Sequence, residues 1–348
     1  MAQQPETAAP HRGILPRGAA PNAPFRRHHR RTYAALDLGT NNCRLLIARP
    51  ADEGFVVVDA FSRIVRLGEG LAATGRLSDT AMDRAVAALS ICADKLQRRQ
   101  VTLVRSVATE ACRRASNGRE FVDRVYRETG IALDIISAEQ EARLAVLGCH
   151  VLLEPGEGPA LIFDIGGGST ELVLIESGGP APRILEWFSA PWGVVSLTES
   201  EPHEWACRDQ RLAAYQRMRE RVANAFAPFA VALNGNHQRT RLLGTSGTVT
   251  TLASLHLGLS TYDRRAVDGL IVPAQSMRNI STRLSEMSVA ERAGLPCIGH
   301  ERADLVVAGC AILEAIIDIW PAERLGVADR GIREGILRSL MARESGRA

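Results

Sequence analysis

Apolar and polar positions follow two periods along the chain after residue 31. Short runs of aliphatic residues predict strands, and apolar residues spaced three and four apart predict helices. In the first half these patterns give strands at 33–38, 43–49, 55–60, 101–107 and 133–136, and helices at 79–99, 120–129 and 138–149. Ser78 precedes the first helix as its predicted N-cap. The alternation of strands and helices predicts an α/β domain.

The second half begins with strands and is then completed by helices. Its patterns give strands at 160–165, 170–175, 183–188 and 241–244, and helices at 204–227, 248–256, 302–319 and 331–341. A length of 348 residues suits two domains. We place them at 32–140 and 141–330, and we expect a C-terminal helix at 331–345 to pack back on the first.

Three glycine turns carry the clearest chemical signal. Glycines let backbone N–H groups approach an anion where a Cβ would clash, and a helix N-terminus attracts phosphate. A single glycine turn is more often only the structural turn of a hairpin. Three glycine turns that also carry hydroxyl groups predict one polyanion-binding site between the domains. The candidate phosphate-binding residues are Gly39, Thr40, Asn41, Gly166, Gly167, Gly168, Ser169, Thr170, Gly244, Thr245, Ser246, Gly247 and Thr248.

Two aspartates stand beside these turns in the same Asp-x-Gly setting. Asp37 precedes the first turn and Asp164 precedes the second. Carboxylate oxygens hold Mg²⁺ or Mn²⁺ on phosphate oxygens, although aspartate also caps ordinary turns. We therefore predict Asp37 and Asp164 as ligands of a divalent metal.

The N-terminal segment differs from the rest in charge and composition. The chain has 42 basic and 39 acidic residues, and the first 31 residues contain six arginines and one glutamate. Five prolines and no apolar core indicate a disordered basic tail. Its cluster at 26–31 could contact nucleic acid, anionic lipid or polyphosphate, but we rank a solvated arm above these.

Several function classes are excluded by what the sequence contains. No uninterrupted apolar stretch could span a bilayer. Lys95 is the only lysine and does not belong to a G-x-x-x-x-G-K-[ST] loop, which excludes a P-loop nucleoside triphosphatase. The seven cysteines form no C-x-x-C pair, so we expect buried thiols in a cytoplasmic protein.

Nine segments in order resemble the exopolyphosphatase and guanosine pentaphosphate phosphohydrolase (Ppx/GppA) family. The resemblance covers roughly residues 33–342 and implies an α/β fold of two ribonuclease-H-like domains, the actin, Hsp70 and sugar-kinase superfold, with a cleft between them. Long members add a C-terminal HD-type region, so we expect the short form here. The segments are 37–41, 65–71, 107–113, 135–143, the hairpin at 160–175, 193–199, 244–250, 301–304 and 331–335.

The resemblance also implies an activity and assigns residues to it. The family releases a terminal phosphate by attack of water with a divalent metal, and its proposed catalytic carboxylate falls on Glu141. Arg113 matches a phosphate-facing arginine, while Arg66 and Arg44 are weaker phosphate candidates. The alternatives are an exposed helix carboxylate at Glu141 and a surface ion pair at Arg113. Glu171 stays unassigned.

This sequence departs from the family pattern beside the predicted site. Thr40, Asn41 and Asn42 stand where Ser, Asn and Ser are usual, Gln140 replaces a common Glu, and Glu110 adds a negative charge. These changes leave the substrate preference open.

Three functions follow as hypotheses. The first is a metal-dependent phosphohydrolase acting on inorganic polyphosphate, on guanosine pentaphosphate, or on both, with polyphosphate favoured because no guanine pocket is identifiable. The second is a phosphotransferase of the same superfold, and the third is a non-catalytic sensor of polyphosphate or alarmone. The apolar helix at 302–319 leaves a homodimer open.

Overall fold

Two mixed β-sheets lie at the centre of the molecule. The computed structural model describes residues 31–52, 54–156, 158–176, 182–232 and 241–344. The first sheet contains β1 (Tyr33–Leu38), β2 (Asn42–Pro50), β3 (Phe55–Ile64), β4 (Leu103–Ala108) and β5 (Asp134–Ile135), in the order β3-β2-β1-β4-β5. The second contains β6 (Pro159–Ile165), β7 (Thr170–Glu176), β8 (Arg183–Ala190), β9 (Arg241–Thr245), β10 (Ile271–Pro273) and β11 (Arg324–Ala328), in the order β10-β11-β9-β6-β7-β8.

The two sheets share one pairing pattern. In each, the first three strands are antiparallel neighbours, and the next strand joins the first strand in parallel, β4 beside β1 and β9 beside β6. The turns of the β1–β2 and β6–β7 hairpins therefore occupy corresponding positions. The predicted fold of two ribonuclease-H-like α/β domains is confirmed.

Helices cover both sheets. Ser78 caps the long helix of the first domain, where its hydroxyl accepts from the Ala81 N–H, as predicted. The helices of the described residues are α1 (Leu71–Thr74), α2 (Asp79–Arg98), α3 (Glu110–Arg114), α4 (Gly118–Thr129), α5 (Ala138–Cys149), α6 (Val194–Ser200), α7 (Arg208–Ala232), α8 (Gly247–His256), α9 (Arg264–Val267), α10 (Ala274–Glu286), α11 (Val289–Ala293), α12 (Val306–Ile319) and α13 (Ile332–Glu344).

Helix α5 packs against both sheets and thereby joins the two cores. Its Leu144 and Ala145 belong to a cluster with β1, β2 and the C-terminal helix α13. Its Ala142, Val146 and Cys149 pack against β6 and β7 of the second sheet. The C-terminal helix thus covers the first domain, although the chain reaches it after the second.

The structure adds elements that the apolar pattern does not indicate. Strand β11 pairs in parallel with β9, β10 forms the edge, and α10 covers the second core. Cys207 is exposed and Cys297 is partly exposed, so the prediction that all seven thiols are buried is wrong. The predicted tail at 1–31 lies outside the described residues except for Arg31. Within the described residues, no helix is long and apolar enough to cross a membrane.

Candidate active site

A cleft between the two domains collects most of the predicted site residues. It encloses about 970 Å³ of empty space, part of it open to solvent. The wall is built from hairpin turns of both sheets and from the first turns of α3, α5 and α8. Its charged and polar members include Asp37, Thr40, Asn41, Arg44, Glu110, Glu141, Asp164, Ser169, Glu171, Ser246, Thr248 and Arg302, together with Gly39, Gly166, Gly167, Gly168 and Gly247.

The two hairpin turns touch each other across the cleft. A Cβ at Gly167 would lie 2.9 Å from the Thr40 Cβ, and a Cβ at Gly168 would lie 2.8 Å from the Thr40 Oγ1. Only glycine fits such an approach. The N–H groups of Gly167 and Gly168 donate to no acceptor among the described residues. These amides form a concave donor surface that suits an anion.

The third glycine turn supplies a helix N-terminus to the same cleft. The Ser246 hydroxyl caps α8 by accepting from the Val249 N–H at 3.3 Å. The N–H groups of the first helical turn have no intrahelical partner, and the helix dipole is positive there. Gly247 and Thr248 therefore bring positive potential to the cleft wall opposite the hairpin turns.

Three predicted phosphate residues lie behind the wall rather than on it. The Thr170 hydroxyl donates to the Trp192 carbonyl at 2.7 Å. The Thr245 hydroxyl donates to the Arg330 carbonyl at 2.8 Å. A Cβ at Gly244 would lie 2.4 Å from the ring of Phe163, so this glycine permits packing. The hydrogen bonds of Thr170 and Thr245 and the packing at Gly244 therefore stabilise the turns from behind.

Arg66 also lies away from the cleft wall. Its guanidinium donates to both carboxylate oxygens of Asp304, at 2.9 and 3.1 Å, and this pair links the two domains. A paired guanidinium has few donors left for a phosphate.

Glu141 lies on the cleft wall at the start of α5. Ser137 caps this helix through a capping box with Gln140, both bonds being 3.2 Å, which fixes the first turn. Glu141 is 7% exposed, so it is not an exposed helix carboxylate. Its Oε2 accepts from the Arg113 Nη1 at 3.1 Å, while Oε1 accepts no hydrogen bond from the described residues. One oxygen is therefore held and the other is available to the cleft.

Burial raises the pKa of four acids of the cleft. Burial, followed by the charge of Glu171, raises the pKa of Glu141 well above its usual range. The same two causes raise the pKa of Asp164 to about 8. Burial also raises the pKa of Asp37 and of Glu171, whose carboxylate accepts from the hydroxyls of Ser169 and Ser189. Burial thus favours the neutral form of these acids, and a cation brought beside them would lower their pKa values again.

Asp37 and Asp164 fit a divalent metal. The Asp37 Oδ1 is buried and accepts no hydrogen bond from any described residue. No group of three or more His, Cys, Asp or Glu side chains arranged to hold a metal occurs within the described residues. Mg²⁺ needs no such group, because it is often bound by one or two carboxylates and completes its shell with water and substrate phosphates.

Two arginines on the wall carry unpaired charge. Arg44 and Arg302 form no ion pair with a described residue, and Arg302 has only a long 3.4 Å contact to the Thr251 hydroxyl. Sequence reasoning ranked Arg44 as a weak candidate and did not assign Arg302. Arg302 lies in the segment 301–304, one of the nine that carry the family resemblance, but that segment alone gave it no role, and the tertiary structure places it on the cleft wall.

Comparison with known proteins places this geometry in a family. The chain is 33% identical over 324 residues to Exopolyphosphatase 2 of Mycobacterium tuberculosis, covering 88% of this chain and 98% of that protein. The structure resembles the crystal structure of the Aquifex aeolicus Ppx/GppA family member, with a TM-score of 0.72 and 29% identity over 90% of this chain and 98% of that one. It also resembles an exopolyphosphatase from Cytophaga hutchinsonii, with a TM-score of 0.78 and 25% identity over 89% and 98% of the two chains.

The match extends to the sequence pattern of a whole family. Residues 46–344 match the Ppx/GppA phosphatase family, a span that begins within β2 and includes the rest of the first sheet apart from β1, the whole second sheet and the C-terminal helix. With its two similar domains, its paired glycine turns and this match over most of its length, the chain belongs to the Ppx/GppA phosphatase family.

Proposed function

We propose that the protein is a metal-dependent exopolyphosphatase that releases terminal orthophosphate from inorganic polyphosphate. The main support is the arrangement of Glu141. Its Oε2 accepts from Arg113, while its Oε1 is left for a ligand in a cleft lined by anion-binding turns. The relative from Mycobacterium tuberculosis is named an exopolyphosphatase, which supports this substrate. Guanosine pentaphosphate ends in the same anhydride bond and is proposed as a second substrate.

The proposed chemistry begins with the binding of the terminal phosphate. The amides of Gly167 and Gly168 and the first turn of α8 donate to its oxygens, and Arg44 and Arg302 balance its charge. A divalent cation held by Asp37 and Asp164 would supply further charge neutralisation. Of the five carboxylates on the cleft wall, Asp37, Asp164 and Glu171 form no ion pair with a described residue, so positive charge beside them would reduce the repulsion of a polyanion.

Glu141 is proposed to activate the attacking water. Its Oε1 accepts a hydrogen bond from the water and then its proton, while the new P–O bond forms and the anhydride bond to the remaining chain breaks. A carboxylate with a raised pKa is a stronger base than one in water, which suits this role. Arg113 keeps the other oxygen in place during the transfer.

The test is phosphate release by the purified protein with Mg²⁺ or Mn²⁺. Short polyphosphate, long polyphosphate, guanosine pentaphosphate and ATP are compared, with Glu141→Gln beside the wild type. We expect release from polyphosphate that stops on chelation of the metal and falls by about 10²-fold or more in the variant, because general base catalysis is worth about 10²–10⁴-fold. Polyphosphate binding should persist in the variant.

Other outcomes would replace the proposal. Phosphate transfer that requires ADP or another acceptor would indicate a phosphotransferase. Tight polyphosphate binding without release from any substrate would indicate a sensor. Release that persists in Glu141→Gln would remove Glu141 from the mechanism while keeping the hydrolase.

A further inference from the structure

Glu110 occupies an unexpected place on the cleft wall. It is the first residue of α3, and its side chain is 13% exposed. A Cβ at Gly168 would lie 2.9 Å from the Glu110 Cγ, so this side chain lies directly against the hairpin turn of the second domain. A carboxylate at this position adds negative charge to a cleft proposed to bind a polyanion. Its presence there therefore calls for a different role.

The geometry around Arg113 supplies that role. The Glu110 Oε2 accepts from the Arg113 Nη2 at 2.6 Å and from its Nε at 3.1 Å. On the other side, the Arg113 Nη1 donates to the Ile136 carbonyl at 2.8 Å and to the Glu141 Oε2 at 3.1 Å. Each of the three guanidinium nitrogens therefore donates to a protein oxygen. The guanidinium bridges two carboxylates and is not free to bind phosphate.

The planar guanidinium transmits orientation from one carboxylate to the other. Its donors form a rigid fork, so the two bonds to Glu110 fix the plane and direction in which Nη1 meets Glu141. Without Glu110, Nε and Nη2 would have no acceptor among the residues that the structure describes, and their side chain is only 22% exposed. The guanidinium would then turn towards an anion in the cleft, and Glu141 would lose the bond that holds its Oε2.

We propose that Glu110 is a positioning residue for the hydrolysis, acting through Arg113 to hold Glu141 with one oxygen directed to the attacking water. This inference rests on the proposed role of Glu141 in water attack. According to this inference, Glu110 affects the rate of the chemical step and does not contribute to substrate affinity. The negative charge of Glu110 weakens the binding of a polyanion because like charges repel.

The test is a kinetic double-mutant cycle on polyphosphate, with Glu110→Ala, Arg113→Ala and the double variant. We expect Glu110→Ala to lower kcat about 10- to 100-fold, the usual worth of charge-assisted hydrogen bonds, without raising KM. Because Glu110 acts through Arg113, the double variant should be no slower than Arg113→Ala alone. The matched control is Glu139→Ala, which removes an exposed carboxylate paired with Arg143 at 2.8 Å on the same helix as Glu141.

The inference is overturned if Glu110→Ala keeps kcat within about twofold of the wild type, or if its loss multiplies with that of Arg113→Ala in the double variant. Thermal unfolding of each variant separates positioning from loss of fold, and Glu110→Gln provides the same cycle if the alanine variant does not fold. The proposed function fails separately. It fails if the wild type releases no phosphate, whereas an active wild type with an inactive Glu141→Gln and a normal Glu110→Ala refutes only the role of Glu110.

Discussion

The arginines in and around the cleft are of two kinds, those without an ion-pair partner among the described residues and those already paired with carboxylates. Arg66 and Arg113 each donate to carboxylates, at distances between 2.6 and 3.1 Å. Arg44 and Arg302 line the cleft without an ion-pair partner among the described residues. Substrate affinity should therefore depend on the second pair of arginines.

Arg302→Ala is expected to raise the KM for polyphosphate about tenfold with little change in kcat, because a contact made equally to substrate and transition state affects binding alone. Initial rates over a range of polyphosphate concentrations provide the measurement. Arg98→Ala serves as the control, since it removes the same charge from a side chain that is 80% exposed and lies outside the cleft. An equal rise in KM for both variants would attribute the effect to net charge.

His203 makes the stability of the folded protein depend on pH in the acidic range. Its Nδ1 lies 3.2 Å from the Arg292 Nη1, and both side chains are buried. Burial, followed by the charge of Arg292, lowers the pKa of His203 from 6.5 to about 4. The unfolded chain therefore binds more protons between these values, so stability is complete above pH 6.5 and is lost as the pH falls towards 4.

His203→Gln is expected to remove this component of the pH dependence, which is at most about 1.4 kcal/mol per pH unit. The free energy of unfolding is measured by urea denaturation between pH 4.5 and 7.5. The wild type should lose more stability than the variant as the pH falls. Parallel curves would show that His203 protonates equally well in the folded and unfolded states.

The sequence predicted the acids and turns of the site but not all of its cations. The predicted acids meet in one cleft because each lies at the end of an element with a recognisable motif. Asp37 and Asp164 lie near the ends of β1 and β6, and Glu141 lies in the first turn of α5. Whether an arginine is paired with a carboxylate depends instead on residues that are distant in the sequence. Asp304, which occupies Arg66, lies 238 residues further along the chain. No local pattern reports such a pairing.

Among the secondary-structure elements, α5 and α13 approach most closely through glycines. A Cβ at Gly148 would lie 1.9 Å from the Gly331 carbonyl oxygen, and a Cβ at Gly335 would lie 2.0 Å from that of Leu144. The contacted atoms belong to the backbone and cannot rotate away. Because α5 also carries Glu141, this contact supports the site as well as the core.

Gly148→Ala is expected to destabilise the protein by about 3 kcal/mol or more, because overpacking a helix contact forces the backbones apart. Chemical denaturation measures the loss. The control is Gly294→Ala, where a Cβ would lie no closer than 3.5 Å to any neighbour. Similar stability of the two variants would show that α13 can move away without cost.

Elements with a clear period were predicted well, but the short strands β10 and β11 were not. The predicted helix at 138–149 agrees with α5, and the predicted strands at 33–38 and 183–188 coincide with or lie within β1 and β8. Strand β11 has five residues and is largely buried, so it shows no alternation. Strand β9 is equally short and buried, but the glycine turn that follows it marks its end. The place of β11 in the sheet comes from pairing with β9.

For the whole molecule, polar contacts across the cleft hold the two domains together. Arg66 donates to Asp304 and to the Glu301 carbonyl, and the Gly70 N–H donates to the Glu199 carboxylate at 2.8 Å. These contacts are partly exposed, so each contributes little to overall stability. They instead favour the arrangement in which both walls of the cleft face each other.

Arg66→Ala is expected to raise the KM for polyphosphate about two- to fivefold, because a less populated binding-competent arrangement lowers apparent affinity. The radius of gyration of the free protein, measured by small-angle scattering, should increase. Arg124→Ala is the control, as it removes an ion pair with Asp83 inside the first domain, where the distance is 2.7 Å. An unchanged radius and KM would show that the domains stay closed without Arg66.

The position of α13 on the first domain has a consequence for synthesis of the chain. Tyr33 and Leu46 of the first sheet are buried partly by Ile336 and Leu337, which the ribosome adds roughly 300 residues later. One apolar face of the earliest strands therefore stays partly uncovered until α13 has been synthesised. Before that point the nascent first domain exposes apolar surface of the kind that chaperones bind.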